Sequence, residues 1–150
     1  MASVQDVAAY ILEKQGQMTA MKLQKLVYYS QAWSLVWDEK PLFAEKIKAW
    51  TNGPVVPELY KNHKGQFTVS PPWSFGTSSA LTTDQRETVD AVLRTYGAKT
   101  SQWLSDLTHR ENPWRDAREG VPDGESSSAE ITPAALAEYY SGLTEADQAI

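Results

Sequence analysis

Val4, Val7, Ala8, Ile11 and Leu12 recur every three or four residues, which puts them on one face of a helix. Ser3 and Asp6 stand at capping-box spacing before that run, with Asp in place of the usual Glu or Gln, and Gly16 follows it. The pattern therefore predicts a first helix over about 4–15. Thr19 is the expected N-cap of a longer helix reaching about Asp38. Leu23, Leu26, Val27, Ser30, Trp33 and Trp37 form one stripe along it, and Met21, Tyr28, Ala32, Leu35 and Val36 widen that stripe. Little polar face remains beyond Lys22, Gln24, Lys25, Gln31 and Ser34. A helix that is apolar almost all round is enclosed by its neighbours, so residues 19–38 are predicted to be the buried centre of the fold.

Pro41 ends that helix. Leu42-Phe43-Ala44 and Ile47-Lys48-Ala49-Trp50 then flank a short polar stretch, which predicts a small β-hairpin near 42–50, with a helical turn as the alternative. Asn52-Gly53-Pro54 is a turn signal, and Pro57 opens a short helix through Leu59, Tyr60 and His63. Residues 65–82 are rich in Gly, Ser, Thr and Pro, with Phe67, Trp73 and Phe75 among them, and read as a long loop. Thr82 and Gln85 open a helix carrying Val89, Val92, Leu93 and Tyr96, closed by Gly97. Thr100 or Ser101 starts the next, with Trp103, Leu104 and Leu107 turned inward, and Asn112-Pro113-Trp114 begins one more helical turn. Residues 119–130 form a polar loop, Thr132-Pro133 starts a last helix with Leu136, Tyr139 and Tyr140, and 142–150 read as a flexible tail. The fold class expected is mainly α, one compact domain over 1–150 with its core at about 4–140.

Composition changes this picture little: 41% hydrophobic and 22% charged residues are ordinary for a globular chain. The absence of cysteine excludes a disulfide framework, a thiolate zinc site and a cysteine nucleophile, and it suits a reducing compartment. The N-terminus lacks a signal-peptide pattern and no segment approaches the ~20 apolar residues that span a bilayer, so a cytoplasmic protein without membrane insertion is expected. Charge says more. Residues 1–66 carry eight Lys against six acids, whereas 67–150 carry six Lys or Arg against thirteen acids, and no positive side chain follows Arg118. An acidic C-terminal third repels phosphate, which counts against a nucleic-acid partner and against a transcriptional autoregulator, and favours a basic protein surface.

Candidate chemistry is sparse. His63 and His109 are the two histidines, and neither stands in a metal-binding motif. A metal site would have to draw both histidines together with carboxylates such as Asp106, Glu111 or Asp116, and a metal-dependent hydrolase would use His109 with Asp106 or Glu111. No nucleophile elbow, phosphate-binding loop or dinucleotide fingerprint is present. No cofactor, metal or catalytic residue is assigned, and the reading is of a binding protein. Lys22 and Lys25, one turn apart, are expected to carry their charges to the surface or pair with acids.

Three ordered blocks carry a resemblance. Met21 to Trp33, with Lys22, Leu23, Lys25, Leu26, Tyr28, Tyr29 and Trp33, resembles the opening helix of the Panacea domain, also called SocA-like. Pro41-Leu42-Phe43 and then Ile47 to Tyr60, with Trp50, Gly53, Pro54, Val55 and Tyr60, resemble its second signature. Leu107 to Trp114, with Thr108, His109, Pro113 and Trp114, resembles its third. The likeness runs from about residue 4 to 140.

The resemblance implies an antitoxin, often encoded on a prophage or plasmid, that neutralises a cognate protein toxin by direct binding. Family toxins include translation-inhibiting enzymes, and one relative instead acts as an adaptor delivering its toxin to a ClpXP-type protease. Because partners differ across the family, the signature residues are expected to be mostly scaffold. Toxin contact is expected in the 65–82 loop (Phe67, Trp73, Phe75), the 119–131 loop (Glu119, Asp123, Glu125) and the tail.

Overall fold

The computed structural model describes residues 2–149, with side chains described as far as Leu143. Seven α-helices are found among the described residues: α1 (Val4–Gln15), α2 (Ala20–Trp37), α3 (Pro57–His63), α4 (Thr83–Tyr96), α5 (Ser101–Arg110), α6 (Asn112–Ala117) and α7 (Pro133–Ala149). Five short strands accompany them: β1 (Met18–Thr19), β2 (Ile47–Trp50), β3 (Gly53–Val55), β4 (Thr68–Val69) and β5 (Glu130–Ile131). The domain is mainly helical with a little β structure.

The helix starts follow local chemistry. Ser3 accepts the Asp6 amide while the Asp6 carboxylate accepts the Ser3 amide, and Thr82 and Gln85 form the same reciprocal cap on α4. Thr19 and Thr100 cap α2 and α5 through single hydroxyl bonds. Each such cap is worth about 1 kcal/mol.

Helix α2 is the centre, packed by α1, α4, α5, α7 and β3. Leu23, Leu26, Val27, Tyr29 and Ala32 are completely buried along it. Its polar residues are buried as well, and they explain why the chain wraps it as it does. Gln31 accepts the amides of Leu42 and Phe43 on Oε1 and donates to the Phe43 carbonyl at 2.9 Å. Gln24 accepts the Val56 amide at 2.9 Å and donates to the Val56 carbonyl. Ser34 donates to the Lys40 carbonyl at 2.8 Å. Irregular backbone can be buried only where its N–H and C=O groups find partners, and α2 supplies them from its side chains.

This arrangement corrects the hairpin expected near 42–50. Leu42–Ala44 is no strand, because the Leu42 and Phe43 amides are taken by Gln31 and are lost to a ladder. The hairpin is β2 with β3, pairing Lys48 with Val55 and Trp50 with Gly53, and β5 adds antiparallel to the other edge of β2.

The 65–82 stretch is also more fixed than a loop reading suggests. β4 pairs with β1, Met18 opposite Val69, and the Phe67 carbonyl accepts the Ala20 amide. Trp73 is buried against α1 with its indole N–H on Gln5. A Cβ at Gly76 would lie 2.2 Å from the Gln5 carbonyl oxygen, so the chain can lie this close to α1 only with glycine there. At the other end, α7 stays helical to Ala149, past residue 141 where the sequence pattern ended it.

Candidate functional site

The signature residues converge on the β2–β3 turn. Gly53 has φ +124°, and a Cβ there would stand 2.6 Å from Lys25 Cε and 3.1 Å from Thr108 Oγ1. Glycine is therefore required twice, by conformation and by space. Lys25 is 0% exposed and its Nζ donates to the Pro54 carbonyl at 3.2 Å. The expectation that its charge reaches the surface or an acid fails: the amino group ends beneath the turn, where α2 points it at the Pro54 carbonyl. Burial pulls its pKa down to about 7.

Helix α5 closes over the same turn. Thr108 donates to the Ser105 carbonyl, and Ser105 donates to the Asn52 carbonyl at 3.1 Å. The His109 ring stacks on Trp114, centroids 4.1 Å apart, and the Trp114 indole donates to the Trp50 carbonyl at 2.8 Å. Burial chiefly lowers the His109 pKa and the nearby Lys25 adds to this, while the Asn52 backbone opposes it. Its Nε2 is buried without a hydrogen-bond partner among the described residues. Arg118, buried against Trp114, donates to the carbonyls of Ala49, Pro122 and Glu125 and so fixes the start of the 119–130 loop.

A second buried group lies deeper. Glu111, 6% exposed, accepts Tyr29 Oη at 2.6 Å and Tyr140 Oη at 2.8 Å on one carboxylate oxygen. Tyr28 Oη lies 3.0 Å from Tyr140 Oη, and Tyr29 stacks on Tyr96 at 4.2 Å. Burial raises the Glu111 pKa despite both phenol bonds. This cluster ties α2, the α5–α6 junction and α7 together.

Above the buried layer, a cleft of about 430 Å³ opens between α2, the hairpin and α3, walled by Met21, Gln24, Trp50, Val55 and Tyr60 and rimmed by Ser126–Ser128. His63 lines it too, its Nε2 2.9 Å from Gln24 Nε2, with burial lowering its pKa. A neighbouring depression of about 400 Å³ shares Met21 and Asn52 with the cleft and reaches His109 and Phe67.

The signature residues thus divide. Leu23, Lys25, Leu26, Tyr28, Tyr29, Gly53, Pro54, Thr108, Pro113 and Trp114 are buried, and Lys22 and Trp33 are partly so. Trp50, Val55, Tyr60 and His109 present a surface to the clefts. Among the loop residues, Phe67 is 81% and Phe75 54% exposed, whereas Trp73 at 8% belongs to the core and is withdrawn as a contact residue. Glu119, Asp123 and Glu125 are exposed. Trp103, expected to face inward, is also exposed, with Lys99 over its ring.

Among the described residues, neither Asp106 nor Glu111 is hydrogen-bonded to His109. Asp106 is exposed and bonded to Gln102, Glu111 is occupied by tyrosines, and His109 stacks on Trp114. No group of three or more His, Asp or Glu stands close enough to hold a metal ion among the described residues. Nor is any helix among them long and apolar enough to cross a membrane. Sequence reasoning missed Gln24, Gln31, Glu111 and Arg118 as anchors. The one signal available was polarity on otherwise apolar helices: Gln24 and Gln31 are seven residues apart, hence on one face of α2.

Residues 23–115 match the family model of the SocA-like antitoxin, Panacea domain. This covers well over half of the chain, which therefore belongs to that family of antitoxin-like domains. The match contains the second and third signatures whole and the first from Leu23 onward, and is shorter than the 4–140 over which the likeness was expected. No curated protein and no solved structure matches the chain.

Proposed function

We propose that this protein is the antitoxin of a toxin–antitoxin pair and neutralises a protein toxin by forming a stoichiometric complex with it. The observation that carries the reading is membership of the SocA-like antitoxin family over residues 23–115. The distribution of side chains supports it. The titratable groups inside the domain serve the fold: Lys25 and Arg118 hold backbone carbonyls and Glu111 holds two tyrosines. The outer surface carries what a protein partner would use, namely open clefts, the aromatic rings of Phe67 and Phe75, and the acidic edge of Glu119, Asp123 and Glu125. No cofactor and no catalytic residue enters this function, and its setting is the cytoplasm.

Co-expression with the product of the adjacent reading frame tests the reading. An antitoxin restores growth and co-purifies with an intact toxin in cells that lack the ClpXP-type protease. Restored growth only when that protease is present, with a shortened toxin half-life, would replace stoichiometric inhibition by proteolytic delivery. Failure to restore growth under either condition refutes both.

A further inference from the structure

A groove of about 620 Å³ runs between α6, β5 and α7. Its size falls within the ~300–1,000 Å³ of ordinary ligand clefts. Ile131, Tyr139 and Leu143 give its lining apolar surface, and Asp116, Glu130 and Glu138 supply its charge. No Lys or Arg lines it. Lys46 approaches Glu130 at 3.9 Å, but its side chain is 69% exposed and so long a surface pair binds weakly. The carboxylates come from three different elements and are not gathered as metal ligands are. All but Asn112 and Pro113 of the lining lies beyond residue 115, outside the stretch matched to the family.

We infer that this groove docks a cationic amphipathic helix of a partner protein, with apolar side chains seated on Ile131, Tyr139 and Leu143 and Lys or Arg side chains set against Asp116, Glu130 and Glu138. An amphipathic helix buries its apolar face in such a groove and leaves its charged flanks at the rim, which matches a lining that combines apolar side chains with three carboxylates. Charge complementarity fixes the sign of the partner: the groove is anionic, and it sits in the half of the chain where acids outnumber bases thirteen to six. Phosphate-bearing partners are repelled by the same field. The identity of the partner as a toxin rests on the antitoxin reading; the chemistry of the groove does not.

The test uses the full chain and a fluorescent designed peptide of Leu and Lys in helical amphipathic order, followed by anisotropy. The peptide binds, and its counterpart with Glu in place of Lys does not. Asp116→Asn with Glu138→Gln weakens binding about tenfold or more, whereas the charge-matched control at two exposed acids away from any proposed contact, Glu13→Gln with Glu87→Gln, changes it less than about twofold. Ala135→Trp, which fills the groove from the α7 side, abolishes binding while the far-ultraviolet spectrum and melting temperature stay unchanged. Equal weakening by the two charge pairs, or unaltered binding to the filled groove, overturns the inference in favour of diffuse attraction to an acidic protein. Absence of binding by the Leu/Lys peptide overturns it too. None of these results depends on toxin neutralisation, so groove and antitoxin reading fail separately.

Discussion

Gln24, Lys25 and Gln31 turn their polar atoms inward onto the backbone of residues 42–56, whereas Asp116, Glu130 and Glu138 leave theirs along an open groove. Both regions mix apolar surface with polar side chains. In the first, every polar group replaces a missing backbone partner, so its role is used up by the fold. In the second, no carboxylate is hydrogen-bonded to backbone among the described residues, and only the weak Lys46–Glu130 contact engages one of them. The family match covers the first region and stops short of the second. The contrast separates residues that make the domain from residues that can choose a partner, and neither burial nor polarity alone would have done so.

Breaking the inward side should have the largest effect. Gln31→Leu strands two amides and one carbonyl of the fully buried Leu42-Phe43 segment, at about 1–3 kcal/mol each. Urea unfolding should show a loss of at least about 3 kcal/mol, and a loss below about 1 would mean that the clasp is not what holds this segment.

Lys25 sharpens the comparison through pH. Its folded pKa of about 7 lies below the unfolded value near 10.5, so between these values the unfolded chain binds the extra proton. Its contribution to stability therefore rises with pH through that window, by up to about 1.4 kcal/mol per unit, and is lowest below pH 7. Lys25→Met should flatten the profile of unfolding free energy between pH 7 and 10 relative to the wild type. Parallel profiles would place the ammonium in contact with water.

Glu111 gives the opposite slope. Burial raises its folded pKa, so the folded state holds the proton longer and stability falls as pH rises from the unfolded carboxyl pKa through the raised one. Glu111→Gln keeps an oxygen for Tyr29 and Tyr140 and should remove that fall, which unfolding measured from pH 4 upward would detect. On the outward side the effect on stability should be smallest. Phe67→Ser changes it by less than about 0.5 kcal/mol, as expected of an 81% exposed side chain, while weakening toxin binding. Unchanged affinity for the toxin would remove Phe67 from the interface.

Much of the scaffold was legible because it obeys local rules. The apolar circumference of α2 announced a buried helix, and Ser3, Thr19 and Thr82 announced helix starts. What was lost depends on partners distant in sequence. Leu42–Ala44 has the composition of a strand, and only Gln31, eleven residues away, shows where its amides go. Lys25 was read by the usual habit of lysine, which fails where a turn offers a buried carbonyl. Trp73 and Phe67 stand in the same Ser-, Thr- and Pro-containing stretch, yet only contact with Gln5 on α1 separates a core residue from a surface one. The groove joins α6, β5 and α7, and no period or motif links residues 116, 130 and 138.

The most direct measurement of the central claim is light scattering on the co-expressed pair after size-exclusion chromatography, made without the protease. The account predicts a single species with the mass of antitoxin plus intact toxin, formed by wild type and by Lys25→Met alike where the latter folds. Wild-type protein that rescues growth yet elutes apart from an intact toxin would contradict it.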